Sequence, residues 1–119
     1  MTPHKIYTAL LATDLTRSED WWSRLLGRRP NFRPMDTLVQ WELNDNGGLQ
    51  LSSDDSLAGR GALSLVVDDV EVERKRLASV GIVVGASLQG TYSTLAQVSD
   101  PDDNLIVFAT PPSPPYPPA

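Results

Sequence analysis

The chain has 119 residues, of which 40% are hydrophobic and 21% charged, and its 10 basic and 15 acidic side chains give a net charge of −5. This is the composition of one globular domain, and its acidic balance argues against nucleic acid or an anionic membrane as a partner. Because cysteine is absent, disulfides, thiolate metal sites and cysteine nucleophiles are excluded. No apolar run approaches the roughly 20 residues of a membrane span and no signal-peptide core is recognisable, so we expect a cytoplasmic protein.

The first half of the chain predicts a strand, a helix and a hairpin in that order. The alternating run Ile6–Thr13 predicts the strand. Asp14 or Thr16 can cap the helix that follows, and Gly27 can end it in the left-handed conformation. Two extended segments flank an Asn-Asp-Asn-Gly-Gly turn that is typical of a hairpin: Thr37–Leu43 and Leu49–Ser53.

The second half repeats this order. Ala62–Val67 predicts a strand, and Asp68 or Asp69 can cap a charged helix that ends near Gly81. On this helix Val70, Leu77 and Val80 are predicted to face inward. Two further extended segments flank a Ser-Asp-Pro-Asp-Asp-Asn turn: Thr94–Val98 and Leu105–Thr110. The two capping positions, 14 and 69, are 55 residues apart, a period typical of duplicated supersecondary units. We therefore predict one domain over residues 1–110, with modules at about 5–55 and 60–110.

The C-terminal segment has a different composition. Six of the ten prolines fall within residues 111–119, which predicts an extended polyproline II tail with few groups able to join a core. Pro112 and Pro115 also satisfy the PxxP recognition pattern. We expect a solvated tail.

Three motifs resemble the vicinal oxygen chelate superfamily, which includes glyoxalase I, extradiol dioxygenases, fosfomycin-modifying enzymes and bleomycin-binding proteins. They are ATDLTRSEDWWSRLLG (Ala12–Gly27), LVVDDV (Leu65–Val70) and DPDDN (Asp100–Asn104). In the last motif Asp103 replaces the glycine of the family's turn, which aspartate can do because it tolerates positive φ. The resemblance implies an α+β fold of two tandem βαβββ modules, with curved mixed sheets around a concave cavity, and a homodimer.

The resemblance also indicates where a metal would bind. The metal-dependent relatives take one ligand, usually His or Glu, from each of four strands, and here those positions hold Tyr7, Gln50, Ala62 and Val107, with Ser52 as the alternative to Gln50. A divalent ion needs imidazoles and carboxylates converging at about 2 Å. None of these residues is a good ligand, so we expect no metal, no cofactor and no catalytic residue.

Other candidates for metal binding or catalysis are weaker. The only histidine, His4, is three residues from Tyr7, so on a regular strand it points to the opposite face. The acidic pairs Asp54–Asp55 and Asp68–Asp69 lie in a polar linker and at a helix cap, where we expect no magnesium or calcium. General acid–base chemistry by Tyr7 or Glu42 is conceivable, and no pattern argues for it.

The residues predicted to face the cavity are mainly apolar, with a few polar groups, as in most small-molecule pockets. Trp41 and Tyr92 could each offer a flat face to a planar or cationic ligand, or could pack in the core. Trp21 and Trp22 are predicted to be packing residues. The predicted ligand-binding set is Tyr7, Leu11, Trp41, Gln50, Ser52, Ala62, Ser64, Tyr92 and Val107.

These observations predict metal-independent binding of a small hydrophobic or aromatic molecule, with antibiotic or toxin sequestration as in the bleomycin-binding members of the superfamily. The alternative is a glyoxalase-like lyase, dioxygenase or isomerase with a divergent active site. A ligand-sensing subunit that uses the proline-rich tail as a contact segment is a third hypothesis.

Overall fold

A computed structural model describes residues 1–119 and contains two helices and eight strands. The strands form two open, curved, mixed sheets of four, with orders β1-β4-β3-β2 and β5-β8-β7-β6. Each sheet therefore comes from one βαβββ module, which confirms the predicted α+β fold of tandem modules. In chain order the elements are β1 (Ile6–Ala12), α1 (Leu15–Leu26), β2 (Phe32–Met35), β3 (Leu38–Asn44), β4 (Gly47–Ser53), β5 (Ala62–Val66), α2 (Val70–Ala78), β6 (Leu88–Gln89), β7 (Thr94–Ser99) and β8 (Leu105–Ala109).

The chain divides into two compact units. The first unit comprises Met1–Ala62 and Ser99–Asn104, and the second comprises Leu63–Val98 and Leu105–Ala119. The turn between β7 and β8, together with Ser99 at the end of β7, thus belongs to the first unit, while the rest of β7 and all of β8 belong to the second. Neither helix is long and apolar enough to cross a membrane.

Helix α1 is delimited by the signals found in the sequence. The side chain of Asp14, rather than that of Thr16, caps the helix by accepting a hydrogen bond from the backbone N–H of Arg17. At the other end Gly27 has φ 73° and its N–H donates to the carbonyl oxygen of Ser23. The predicted helix and its left-handed end are confirmed.

The first sheet has one buried face. Strand β1 pairs with β4 in parallel, and β3 pairs with β4 antiparallel. Alternate side chains of the three strands are fully or almost fully buried, together with Trp22 and Leu25 of α1, which packs on β4. The strand residues of this covered face are Leu10, Ala12, Val39, Trp41, Leu49 and Leu51.

The Asp-Pro-Asp-Asp-Asn turn is a buried hydrogen-bonding centre of the first unit. The side-chain amide of Asn104 donates to the carbonyl oxygen of Leu11, and its Oδ1 accepts from the N–H of Gly61. Asp100 accepts from the Trp22 indole at 3.1 Å and from Asn104 at 2.8 Å. Asp103 has φ 70°, which confirms that aspartate occupies the left-handed position of this turn.

The second unit follows the same plan with a shorter helix. Asp69 caps α2 by accepting hydrogen bonds from the N–H groups of Glu71 and Val72. We predicted that Leu77 and Val80 would both face inward. Leu77 is fully buried, but the prediction for Val80 is wrong, because α2 ends at Ala78 and Val80 is 37% exposed.

The proline-rich tail is exposed at every residue except Pro112, and it also contacts the second unit. The N–H of Ser113 donates to the carbonyl oxygen of Tyr92 at 2.9 Å. The rings of Tyr92 and Tyr116 meet edge to face, with their centroids 5.1 Å apart. Two hydrogen bonds between Thr94 and Thr110 fix the start of the tail against β7. The sequence analysis missed this contact because the proline content of the tail predicts its backbone conformation and does not predict where the side chain of Tyr116 packs.

Candidate functional site

The face of the first sheet opposite the covered face is only partly buried, and we call it the first open face. Strand register places Ala9 and Gln40 on either side of Gln50, and Leu11 and Leu38 on either side of Ser52. Because side chains alternate along a strand, these residues point to the same side of the sheet. Four predicted site residues lie on this face: Tyr7, Leu11, Gln50 and Ser52.

A phenol and a carboxylate meet across β4 on the first open face, near the turn that joins β3 and β4. The hydroxyl of Tyr7 donates to Glu42, with Oε1 at 2.8 Å and Oε2 at 2.9 Å. Gly48 lies between the two residues in the strand register. A Cβ atom at Gly48 would lie 1.9 Å from the carbonyl oxygen of Trp41, so this position requires glycine, and its lack of a side chain lets Tyr7 reach Glu42.

This contact changes the protonation of both groups. The hydrogen bond from Tyr7 lowers the pKa of Glu42, and the amide of Gln40 and the ammonium of Lys5 lower it further. The hydrogen bond to Glu42 raises the pKa of Tyr7, since ionisation of the phenol would remove the donated proton and place two negative charges together. At neutral pH the first open face therefore presents an ionised carboxylate held by a neutral phenol.

Two amides extend the cluster across the sheet. Gln40 Nε2 donates to Glu42 Oε1 at 2.9 Å, and Gln50 Nε2 donates to Gln40 Oε1 at 2.8 Å. Lys5 Nζ lies 3.5 Å from Glu42 Oε2. We call Tyr7, Glu42, Gln40 and Gln50 the polar chain.

A small cavity of about 230 Å³ adjoins the end of this face. Ala9 and Leu11 line it from β1, while Leu57 and Arg60 line it from the loop before β5. The first unit thus combines apolar contact surface with the fixed hydrogen-bonding groups of the polar chain. That combination is typical of small-molecule sites.

The corresponding open face of the second sheet is apolar. A cavity of about 350 Å³ is lined by Leu88, Leu95 and Val107, together with the Gly85–Ala86 segment. Gln97 is its polar side chain. Among the predicted site residues, the structure places Val107 at this cavity.

Trp41 was predicted as a possible flat face for a ligand, and this prediction is wrong. Its indole is fully buried on the covered face, where Nε1 donates to the carbonyl oxygen of Arg28 at 3.0 Å. The physical reason is the alternation of β3: Val39 and Trp41 bury their apolar side chains, which leaves Gln40 and Glu42 on the first open face.

The other predicted residues of the second module lie apart from the cavity lining. Ala62 and Ser64 are on the exposed side of β5, the neighbour of β8 in the sheet. Tyr92 lies between β6 and β7, and its ring contacts Tyr116 of the tail.

Sequence reasoning missed two residues of the polar chain. Gln40 was not considered, and Glu42 was considered only for acid–base chemistry. The signal was present in β3, where Val39 and Trp41 alternate with the two polar residues. Assigning Trp41 to the core would have assigned Glu42 to the open face.

The side chains at the four presumed metal positions do not fit a divalent ion. The phenol of Tyr7 is neutral and donates to Glu42, and the amide nitrogen of Gln50 donates to Gln40. Ala62 and Val107 carry no side-chain donor atom at all. No group of three or more His, Cys, Asp or Glu side chains is arranged to hold a metal.

The fold matches that of solved structures described as glyoxalase/bleomycin resistance, bleomycin resistance and antibiotic-binding proteins. A glyoxalase/bleomycin resistance protein from Catenulispora acidiphila matches with a TM-score of 0.83 and 21% identity, covering 92% of this chain and 100% of that one. TnmS3, an antibiotic-binding protein from a Streptomyces species, has a TM-score of 0.73 and 21% identity over 92% and 96% of the two chains. A lactoylglutathione lyase from Agrobacterium tumefaciens has a TM-score of 0.73 and 21% identity over 92% and 95%. No family model and no curated protein matches the chain.

Proposed function

We propose that the protein binds a small hydrophobic or aromatic molecule on its open sheet faces and acts by sequestering it, without a metal or another cofactor. The observation that carries this proposal is the chemistry of the four presumed metal positions. Two are polar groups engaged within the polar chain, and two are aliphatic. Lewis-acid catalysis of the kind found in the metal-dependent relatives needs charged or imidazole ligands that these positions lack.

The surfaces themselves support binding. The second sheet offers a cavity of about 350 Å³, which is within the size range of pockets for small ligands. Its lining of Leu88, Leu95 and Val107 is suited to an apolar or aromatic ring. Fold relatives that are described as bleomycin resistance and antibiotic-binding proteins support the choice of antibiotics as the first compounds to test.

The test is a calorimetric titration of the purified protein with bleomycin and a panel of flat aromatic antibiotics, followed by chromatography of the recovered compound. We expect saturable binding of at least one compound and its recovery unchanged. The variant Val107→Asp, which places a charge in the apolar cavity, should weaken binding. Val72→Asp makes the same substitution on α2, at a side chain that is 58% exposed and outside the cavity lining, and is the matched control.

Two outcomes would contradict the proposal. No heat of binding with any compound would remove the binding function. A stoichiometric metal that survives dialysis, or a chemically altered product, would instead favour the alternative of a lyase, dioxygenase or isomerase.

We also propose that the working form is a cytoplasmic homodimer of a domain formed by residues 1–110. Several large apolar side chains are exposed on the isolated chain, among them Ile6 at 73%, Val83 at 85% and Leu88 at 67%, and exposed apolar surface favours association. Sedimentation analysis should give twice the monomer mass. A monomer at all concentrations would contradict this part of the proposal.

A further inference from the structure

The side-chain hydrogen bonds of the polar chain all donate toward Glu42, and the charge of Glu42 determines this direction. An ionised carboxylate can only accept hydrogen bonds, and Glu42 accepts from the Tyr7 hydroxyl at 2.8 and 2.9 Å. The amide of Gln40 therefore turns its Nε2 toward Glu42, at 2.9 Å. Its Oε1 then faces Gln50, whose Nε2 donates to it at 2.8 Å. The amide orientations thus follow from the position of the charge.

This direction determines what the first open face offers to a ligand. After Gln50 has turned its nitrogen toward Gln40, its Oε1 has no partner within the protein. The Tyr7 hydroxyl is occupied by its donation to Glu42. The polar chain therefore offers a ligand two acceptors, the negative carboxylate of Glu42 and the unpaired carbonyl oxygen of Gln50.

The positive charge of Lys5 does not remove the acceptor character of the Glu42 carboxylate. Its ammonium is 3.5 Å from Glu42 on a side chain that is 44% exposed, and an exposed ion pair of this kind contributes little. A ligand cation can replace it at the carboxylate. Apolar surface lies on the same face beside the acceptors, from Ala9 and Leu11 at the adjoining cavity.

We propose that the first open face selects ligands in which a cationic nitrogen donor, such as an amidinium, a guanidinium or an ammonium, is attached to an aromatic or apolar body. The Glu42 carboxylate would pair with the charge, and Gln50 Oε1 would accept a second N–H. This inference rests on the proposed function, since it specifies the class of molecule that the binding protein takes. It gives Glu42 and Gln50 the role of specificity-determining residues.

The test uses three probes of the same size that differ in charge: benzamidine, benzamide and benzoate. Each is titrated into the full chain, and binding is followed by proton–nitrogen NMR, including the side-chain amide signals of Gln40 and Gln50. We expect benzamidine to bind about tenfold more tightly than benzamide, which corresponds to one charge-assisted hydrogen bond, and benzoate to bind least. Benzamidine should shift both amide signals.

The variant Glu42→Gln should abolish the preference for benzamidine over benzamide. Asp45→Asn, which makes the same change of net charge at an exposed turn, is the matched control and should keep the preference. Gln50→Ala tests the second acceptor without altering Glu42 and should weaken benzamidine by a smaller factor.

The possible failures are distinguishable. If benzamide and benzamidine bind equally, or if Glu42→Gln keeps the preference, cation selection is wrong and the binding function stands. If none of the three probes binds and the antibiotic panel is also inactive, both proposals are wrong. If benzamidine binds preferentially but shifts only signals outside the polar chain, the assignment of the site to this face is wrong.

Discussion

The two sheets of this protein have the same strand order but different open faces. The first carries the polar chain, in which Tyr7, Gln40 and Gln50 are tied directly or through one another to the charge of Glu42. The second presents aliphatic side chains around a larger cavity, with Val107 on its last strand. The covered faces, in contrast, are alike in being apolar and buried.

The difference between the two open faces shows that the residue types of each module are constrained mainly on its covered face. A covered face must exclude water and fill its volume, because the burial of apolar surface stabilises the sheet against its helix. An open face has no such requirement, so its residues can differ in polarity without loss of the fold. The proposed ligand binding should therefore be sought on the open faces.

The largest expected effect separates a covered face from an open one. Trp41→Ala should lower the free energy of unfolding by about 3–5 kcal/mol, because the fully buried indole is replaced by a cavity. Val66→Ala, at a side chain that is 67% exposed, should change it by less than about 0.5 kcal/mol. Urea denaturation followed by circular dichroism measures both. Similar losses in the two variants would show that the faces do not differ as described.

The next effect concerns the turn that completes the first unit. Asn104→Ala should cost about 1–3 kcal/mol, because it leaves the N–H of Gly61 and the carbonyl oxygen of Leu11 without their buried partners. Asp103→Asn is the control in the same turn, since asparagine also tolerates positive φ. It should be nearly neutral by the same urea measurement. Equal stability of the two variants would contradict a structural role for the buried amide.

The tail provides a smaller effect that is confined to the second unit. Tyr116→Ala should lower stability by about 0.5–1.5 kcal/mol, the range of an edge-to-face aromatic pair. Hydrogen exchange at β7 should increase more than exchange in the first sheet. A variant with unchanged exchange throughout would show that the contact between Tyr116 and Tyr92 does not stabilise the second unit.

The smallest effect on stability should depend on pH and arises in the polar chain. Because the folded state lowers the pKa of Glu42, its stabilisation is present above the ordinary pKa of a glutamate and is lost as the pH falls through the lowered value. Because the pKa of Tyr7 is raised, its stabilisation is present below the ordinary pKa of tyrosine and is lost as the pH rises through the raised value.

Comparison of the wild type with Tyr7→Phe isolates this contribution. The difference in urea midpoint should be constant across neutral pH and should shrink at both acidic and strongly alkaline pH. Phenolate absorbance should show one tyrosine that titrates above the ordinary range in the wild type, and closer to that range in Glu42→Gln. A difference in midpoint that does not vary with pH would mean that the phenol and the carboxylate are not coupled.

Much of the fold was predictable because its signals are local. Asp14, Asp69 and Gly27 act as the capping residues that their positions indicate, and Asp103 takes the positive φ that the turn requires. These are interactions between residues a few positions apart, so they can be predicted from the local sequence. Val80 was misassigned because the end of α2 was placed too late, and a helix end depends on contacts beyond the local pattern.

The site was predictable only in part. Tyr7 and Gln50 were assigned to one face correctly, but Glu42 was missed and Trp41 was placed on the wrong side. Strand alternation gives two possible orientations for β3, and the choice depends on which side the helix covers. Similarly, the contact of Tyr116 with Tyr92 depends on the path of the tail, and no sequence pattern in the tail predicts it.

The sequence by itself determined the order of the elements, the duplication and the caps, because these depend on periodicity and on short-range hydrogen bonds. Only the tertiary structure decided that Tyr7 meets Glu42 and that the amides point toward that charge. The reason is that these groups come from separate strands, and their distances are fixed by the register of the sheet and by the absence of a side chain at Gly48.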